Sequence, residues 1–227
     1  MNRLVLTLAL LMLQPAAAIA ADSTTRVDSC AESDHCYRAD FSALQHIEFG
    51  RIPANEITIS DGMVTFNVME SASFLMQGFD KVMPVKKVDM SWKSEGVPSL
   101  RDAEQEKQKA GDDAVVKLGL LLRAEKERFK PFLPAWMKQV REGLSYPSEM
   151  MIYLVADSRH AAGQRWLNPY NERITMVSML DAQAGDGWYR SSIEFDEPVE
   201  VVAIWLMADG DNTGSSFVTT VREIVLR

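Results

Sequence analysis

The chain has 227 residues, of which 47% are hydrophobic and 25% are charged, a balance typical of a folded globular protein. This composition excludes a largely disordered chain, which needs fewer apolar residues and a higher density of charge. The formal net charge is −8 at pH 7. An acidic surface repels phosphate backbones and anionic lipid headgroups, so the charge argues against nucleic acids and membrane surfaces as partners.

The first residues have the pattern of a secretory signal peptide. Arg3 supplies a positive charge, residues 4–13 are almost entirely apolar, and residues 18–20 form an Ala-x-Ala cleavage site. A membrane-spanning helix needs roughly 20 apolar residues, so this run is too short to be an anchor, and Pro15 follows it closely. The sequence therefore predicts a signal peptide at residues 1–20, export to the periplasm or beyond, and no membrane span.

Residues 21–40 form a polar N-terminal segment that contains both cysteines of the chain, Cys30 and Cys36. Two nearby cysteines in an oxidising compartment usually form a disulfide. His35 offers a metal site as the alternative, but zinc takes about four ligands and this segment supplies fewer. We therefore predict a disulfide between Cys30 and Cys36.

Residues 41–227 are predicted to form one β-rich domain. Residues 56–60 and 64–68 alternate apolar with polar side chains, and the Asp61-Gly62 pair between them is a strong hairpin signal. Further strands are predicted at residues 86–93, 115–122, 150–156, 173–180, 188–195, 199–208 and 217–226. Many short strands separated by turn residues favour a mainly β fold, a β-sandwich or jelly roll of the galactose-binding-like type.

One short amphipathic helix is predicted between these strands. Pro134 suits a first helical turn, Trp136, Met137, Val140 and Leu144 follow at helical spacing, and Gly143 suits the C-terminal cap. The strand at residues 201–207 is apolar on both faces, whereas one face of a sandwich strand is normally in water. We expect the helix to cover the outer face of that strand.

Residues 209–214, with the sequence Asp-Gly-Asp-Asn-Thr-Gly, resemble the opening of a calcium loop. In such loops, oxygens at alternate positions converge on the ion, which predicts Asp209, Asp211 and Thr213 as ligands. The twelfth position is Thr220 rather than Glu, so the segment is not an EF-hand. The alternative is a hairpin turn, because Asp, Asn and Gly tolerate left-handed backbone angles.

Asp112 and Asp113 form a second candidate site, and two tryptophans form a third. Two carboxylates held close together could act as the acid and base of a glycosidase. Trp166 and Trp188 lie near loop signals and could stack on sugar rings, whereas the other tryptophans fit the core.

The chain lacks the H-E-x-x-H, G-x-S-x-G and phosphate-loop motifs, so the sequence favours a protein without catalytic activity.

Four segments resemble the blocks of a bacterial family, domain-of-unknown-function family 3047. Residues 90–93 are similar to its W-x-W-K strand, and residues 109–113 with Lys117 are similar to K-x-G-D-D-Y-x-x-R. Residues 168–173 match N-P-Y-x-x-R, and residues 209–214 match D-x-D-N-T-G. The order of the blocks agrees over roughly residues 40–227.

The resemblance implies an exported, jelly-roll-like domain whose activity is unassigned. It also implies that the matching polar residues form one ligand site: Asp112, Asp113, Lys117, Tyr170, Arg173, Asp209, Asp211 and Asn212. The family's Tyr and Arg are replaced by Ala114 and Lys117, and lysine cannot form the two-pronged contact that arginine makes with a carboxylate.

Three functions follow as hypotheses. The leading one is a non-catalytic domain of the cell envelope that binds a glycan or another small molecule, with calcium as an optional cofactor. The second is a carbohydrate-active enzyme that uses paired aspartates. The third is a structural or assembly partner in the envelope. A purely structural role for the acidic segments also stays open, with Asp112 or Asp113 paired to Arg173 or Lys117 inside the fold.

Overall fold

The computed structural model describes residue 30 and residues 36–126 and 132–227. The predicted signal peptide and most of the polar N-terminal segment lie outside these residues. The structure contains the predicted Cys30–Cys36 disulfide. Within the described part of the chain, no helix is both long and apolar enough to cross a lipid bilayer.

The fold is mainly β, as predicted, with one α-helix in the described ranges. The helix α1 spans Ala135–Glu142, and short 3-10 helices span Phe41–Ala43, Ala103–Lys107 and Lys109–Gly111. The strands are β1 (Tyr37–Arg38), β2 (Gln45–Glu48), β3 (Glu56–Ser60), β4 (Met63–Met69), β5 (Ala72–Glu95), β6 (Ala114–Arg123), β7 (Ser148–Ala156), β8 (Arg165–Leu167), β9 (Ile174–Ser178), β10 (Leu180–Gln183), β11 (Tyr189–Asp209) and β12 (Ser216–Leu226).

The predicted hairpin joins β3 to β4. Asp61 and Gly62 both have positive φ angles, of 52° and 69°, as a tight two-residue turn requires. The turn sets the register in which Ile59 faces Val64.

Two long strands, β5 and β11, organise the sheet. They pair with each other, and the strand order is β3-β4-β12-β5-β11-β6-β7-β9-β8, with β1, β10 and β2 added to β12, β11 and β5. The strands predicted at 188–195 and 199–208 form the single strand β11. Pro198 lies within a register shift between Glu194 and Val199, so the strand continues through an irregularity instead of ending.

Each long strand contributes to two halves of the sheet, one that contains β2 and β6 and another that contains β10 and β12. Residues 73–76 of β5 pair with β2, whereas residues 88–95 pair with β12. In the same way, residues 189–192 of β11 pair with β10, and residues 201–209 pair with β6. The resulting architecture is mainly β, in agreement with the predicted fold class.

Helix α1 covers the outer face of β11, which confirms the expectation from the apolar pattern. Ile204 and Leu206 belong to one apolar core, and Trp205 belongs to a second core on the opposite face. Trp205 stacks on Phe74 with ring centroids 3.4 Å apart, and Trp136 of α1 meets it edge-on at 6.1 Å. The helix ends at the predicted cap, Gly143, whose N–H donates to the carbonyl of Gln139.

The short strand β1 is tied to the core by Tyr37, which contacts Gln77 and Phe79. The Tyr37 hydroxyl donates to Gln77 Oε1 at 2.5 Å. Burial and the nearby charge of Asp40 raise the pKa of Tyr37 to about 12. Because the raised pKa favours the protonated folded form, this contribution to stability is complete below about pH 10 and is lost as pH rises through 12.

We therefore expect the free energy of unfolding to fall between pH 10 and 12, and to fall less steeply in Tyr37→Phe. Urea denaturation at several pH values measures the slope. Identical slopes for both proteins over this interval would contradict the role of Tyr37.

Candidate functional site

The predicted polar residues converge because the ends of two paired strands coincide. Asp112 and Asp113 immediately precede β6, and Asp209 is the last residue of β11. The two strands are antiparallel neighbours, with Asp209 opposite Ala114 and Met207 opposite Lys117. The start of β6 and the turn after β11 therefore lie together at one edge of the sheet.

Lys117 is the centre of this cluster and is only 2% exposed. Its Nζ donates to the Asp112 carbonyl at 2.5 Å, to Asp112 Oδ1 at 3.1 Å and to Asp209 Oδ2 at 2.8 Å. Burial alone would lower the pKa of Lys117, but the charges of Asp112 and Asp209 outweigh it and the pKa is raised. Lys117 is thus a buried, charged ammonium that holds two carboxylates.

The Asp113 carboxylate stabilises the turn between β11 and β12 by accepting hydrogen bonds from it. Its Oδ1 accepts from the Asn212 N–H at 3.2 Å and from Asn212 Nδ2 at 3.1 Å. Its Oδ2 accepts from the Thr213 N–H at 2.7 Å and from Thr213 Oγ1 at 2.6 Å. The Thr213 hydroxyl, predicted as a calcium ligand, donates to Asp113.

The segment after β8 closes the cluster from the other side. Asn168 Nδ2 donates to Asp112 Oδ2 at 2.8 Å, and its Oδ1 accepts from the Tyr170 N–H at 3.0 Å. The Tyr170 hydroxyl lies within hydrogen-bond distance of Asn212 Oδ1 and, at 3.1 Å, of the Lys109 carbonyl. The prediction missed Asn168, although it opens the Asn-Pro-Tyr block.

Arg173 does not join the cluster. Its Nη1 lies 3.2 Å from Glu149 Oε2. The parallel pairing of β7 with β9 places Met151 opposite Ile174, so the residue before β9 faces the start of β7. Of the two basic residues that the sequence offers as buried partners of Asp112 or Asp113, Lys117 and not Arg173 therefore forms the ion pair, with Asp112. The predicted site residues that the structure brings together are Asp112, Asp113, Lys117, Tyr170, Asp209, Asp211 and Asn212.

Asp209 has one carboxylate oxygen bonded to Lys117 and one without a hydrogen-bond donor in the described residues. Its Oδ1 is buried and accepts no hydrogen bond from the described residues. Burial raises the pKa of Asp209 well above its usual range, the charge of Lys117 acts in the opposite direction, and the charge of Asp113 and a side-chain hydrogen bond with Asp211 raise it further. Carboxylate oxygens of Asp113, Asp209 and Asp211 all lie within 4.8 Å of one another.

The tryptophans proposed for sugar stacking are engaged with protein groups. Trp188 is only 8% exposed, and its ring lies 4.1 Å from the Arg222 guanidinium carbon and 5.3 Å from Lys93 Nζ. Trp166 packs against His160 with ring centroids 4.7 Å apart. The sequence suggested Trp188 as a surface residue, but it is buried, and the cations of Arg222 and Lys93 lie against its ring.

A second candidate site is a cavity of about 340 Å³ between α1 and the sheet. Val140, Leu144, Met151, Ile174 and Trp205 supply apolar walls, and polar groups at its margin come from Arg141, Glu149 and Asn171. The buried Nε1 of Trp205 has no hydrogen-bond acceptor among the described residues. Sequence reasoning missed this cavity because its walls come from distant segments.

Comparisons with solved structures include two proteins of low sequence identity. A low-affinity xylan-binding module from Roseburia intestinalis is 11% identical, with a TM-score of 0.36, and the alignment covers 85% of this chain and 94% of the module. The Agl-KA catalytic domain is 9% identical, with a TM-score of 0.35, and the alignment covers 86% of this chain and 28% of that one. Sequence identity and structural similarity this low do not indicate a function for this chain.

None of the curated proteins matches the chain significantly. A family profile matches residues 60–225, most of the described sequence. It is the family to which the four sequence blocks were similar. The chain therefore belongs to the family described as protein of unknown function, DUF3047.

Proposed function

We propose that the protein is an exported, non-catalytic ligand-binding domain, and that its ligand occupies the cavity beneath α1. The ligand has an apolar body. The observation behind this proposal is the apolar lining of the cavity, to which Val140, Leu144 and Trp205 contribute.

The size and lining of the cavity support a small ligand. Sites for small molecules typically have volumes of roughly 300–1,000 Å³, and this cavity has about 340 Å³. Met137, Met150 and Met151 all line it. Methionine side chains are flexible and polarisable, so they adapt to apolar ligands of different shape. The apolar walls favour such a ligand over a glycan, which needs a polar partner for most of its hydroxyl groups.

The geometry of the acidic cluster argues against an enzyme that uses paired aspartates. A glycosidase needs two carboxyl groups beside an open cleft. Asp112, Asp113 and Asp209 are 8%, 4% and 5% exposed. Asp112 and Asp209 bind Lys117, and Asp113 accepts hydrogen bonds from the neighbouring turn. These carboxylates hold protein segments together and are closed to a polysaccharide.

Two features of the N-terminal part of the chain bear on the proposed export. The signal-peptide pattern and the Cys30–Cys36 disulfide both support an oxidising compartment such as the periplasm.

An assembly partner would be expected to expose a large apolar patch. The apolar strand around Trp205 was the candidate patch, and α1 covers it. This packing favours ligand binding over an assembly role.

The experiment uses prodan, an uncharged fluorescent naphthalene with a carbonyl acceptor. Prodan emission should shift to the blue and strengthen when it binds the protein. Met150→Glu places a carboxylate at a cavity-lining position that is 55% exposed, so the fold should tolerate it. We expect this change to weaken prodan binding by about tenfold or more, because a charge beside an apolar site must be desolvated.

The matched control is Met69→Glu, at a methionine that is 61% exposed on β4 and does not line the cavity. It should bind prodan within about twofold of the original protein. Equal affinity in both variants, or no binding at all, would overturn the cavity proposal. Xylo-oligosaccharides form a second arm of the screen: a sugar that binds without displacing prodan would place the ligand elsewhere.

A further inference from the structure

The acidic cluster holds more negative charge than its protein partners neutralise. The cluster contains four aspartates, at positions 112, 113, 209 and 211, and the ammonium of Lys117, which contacts Asp112 and Asp209. Three of these aspartates and the lysine are less than a tenth exposed. Carboxylates this close repel one another strongly away from water, so the arrangement requires a further positive partner or a bound proton.

The hydrogen bonds show where that partner belongs. The Asp112 carboxylate is bonded by Lys117 and Asn168, and both oxygens of Asp113 accept two hydrogen bonds each. Asp209 differs, because its Oδ2 binds Lys117 while its buried Oδ1 has no donor in the described part of the chain. The oxygen that lacks a hydrogen-bond donor is therefore Asp209 Oδ1, and the Asp209 carboxylate lies close to that of Asp211.

We propose that a calcium-class divalent cation binds here, held by Asp209 and Asp211, next to Asp113, whose two oxygens are hydrogen-bonded to the turn. The converging groups are all carboxylates, and hard cations such as calcium prefer oxygen ligands. Calcium also tolerates irregular geometry and completes its shell with water, which suits a site with one partly exposed member, Asp211. This site is independent of the cavity beneath α1.

Thermal melts of the purified protein in EDTA, and then with calcium in excess, test the proposal. A ligand at a hundred times its dissociation constant should raise the melting temperature by about 5 °C or more for a domain of this size. Asp211→Asn should abolish the rise. Without calcium, this variant should melt no lower than the original protein, because it removes like-charge repulsion.

Asp61→Asn is the matched control, since Asp61 is an exposed aspartate in the β3–β4 turn. It should retain the full response to calcium. Terbium provides a direct readout, because its luminescence is sensitised by nearby aromatic rings and should appear in the original protein but be lost in Asp211→Asn. Tyr170 lies next to the turn, in contact with Asn212.

Two results would overturn the proposal. An unchanged melting temperature with calcium and magnesium would mean that a proton shared between Asp209 and Asp211 neutralises the site. An equal rise in Asp211→Asn and in the original protein would mean that the cation binds at another place.

Discussion

Lys117→Met should lower the free energy of unfolding by about 3–5 kcal/mol, the usual effect of removing one partner from a buried ion pair. Methionine has nearly the same shape as lysine, so packing is largely retained. Asp112 and Asp209, however, would be left buried without the ammonium that they both contact. Urea denaturation followed by tryptophan fluorescence measures the loss.

Two further variants separate charge from packing. Lys81→Met changes an exposed lysine and should alter stability by less than about 0.5 kcal/mol. Adding Asp112→Asn and Asp209→Asn to Lys117→Met should recover much of the lost stability, because the two carboxylates that contact Lys117 would then be replaced by neutral amides. If the triple variant is as unstable as the single one, the effect comes from packing and the electrostatic account fails.

Gly78→Ala should destabilise the protein by about 1–3 kcal/mol, the range for a group forced into a packed site. A Cβ atom at this position would collide with the carbonyl oxygen of Gly143 at the end of α1. The obstacle is backbone, so no side-chain rotation relieves it, and α1 has to move away from β5. Prodan binding should weaken in the same variant, because α1 forms one wall of the cavity.

Gly50→Ala is the matched control, since a Cβ atom at Gly50 meets no other atom within 4 Å. It should leave both stability and prodan binding essentially unchanged. If Gly78→Ala unfolds at the same urea concentration as the original protein, α1 does not press against β5 as closely as the structure shows.

The sequence predicts most of the secondary structure because the signals are local. The Asp61-Gly62 turn, the helix after Pro134 and its cap at Gly143 depend on residues adjacent in the chain. The apolar pattern of residues 201–207 also predicts that a helix covers β11. The long strands are not predicted, because Pro198 normally ends a strand and here lies in a register shift.

The candidate sites are predicted only in part, because they depend on contacts between distant residues. Asp112 and Asp209 stand out as acidic loop residues, but their shared partner Lys117 lies within an apolar strand and its burial depends on three strands meeting. The ion pair of Arg173 with Glu149 depends on the register between β7 and β9. The cavity has no sequence pattern at all, since it is a space between elements.

Because β5 and β11 each run through both halves of the sheet, the two halves should unfold together. Residues near both ends of β5 and of β11 are bonded to different neighbours, so neither half of the fold has a complete set of strands of its own. Detaching one half would strip backbone hydrogen bonds from the other. The slowest-exchanging amide hydrogens of both halves should therefore share one opening reaction, and the domain should resist proteases until it unfolds as a whole.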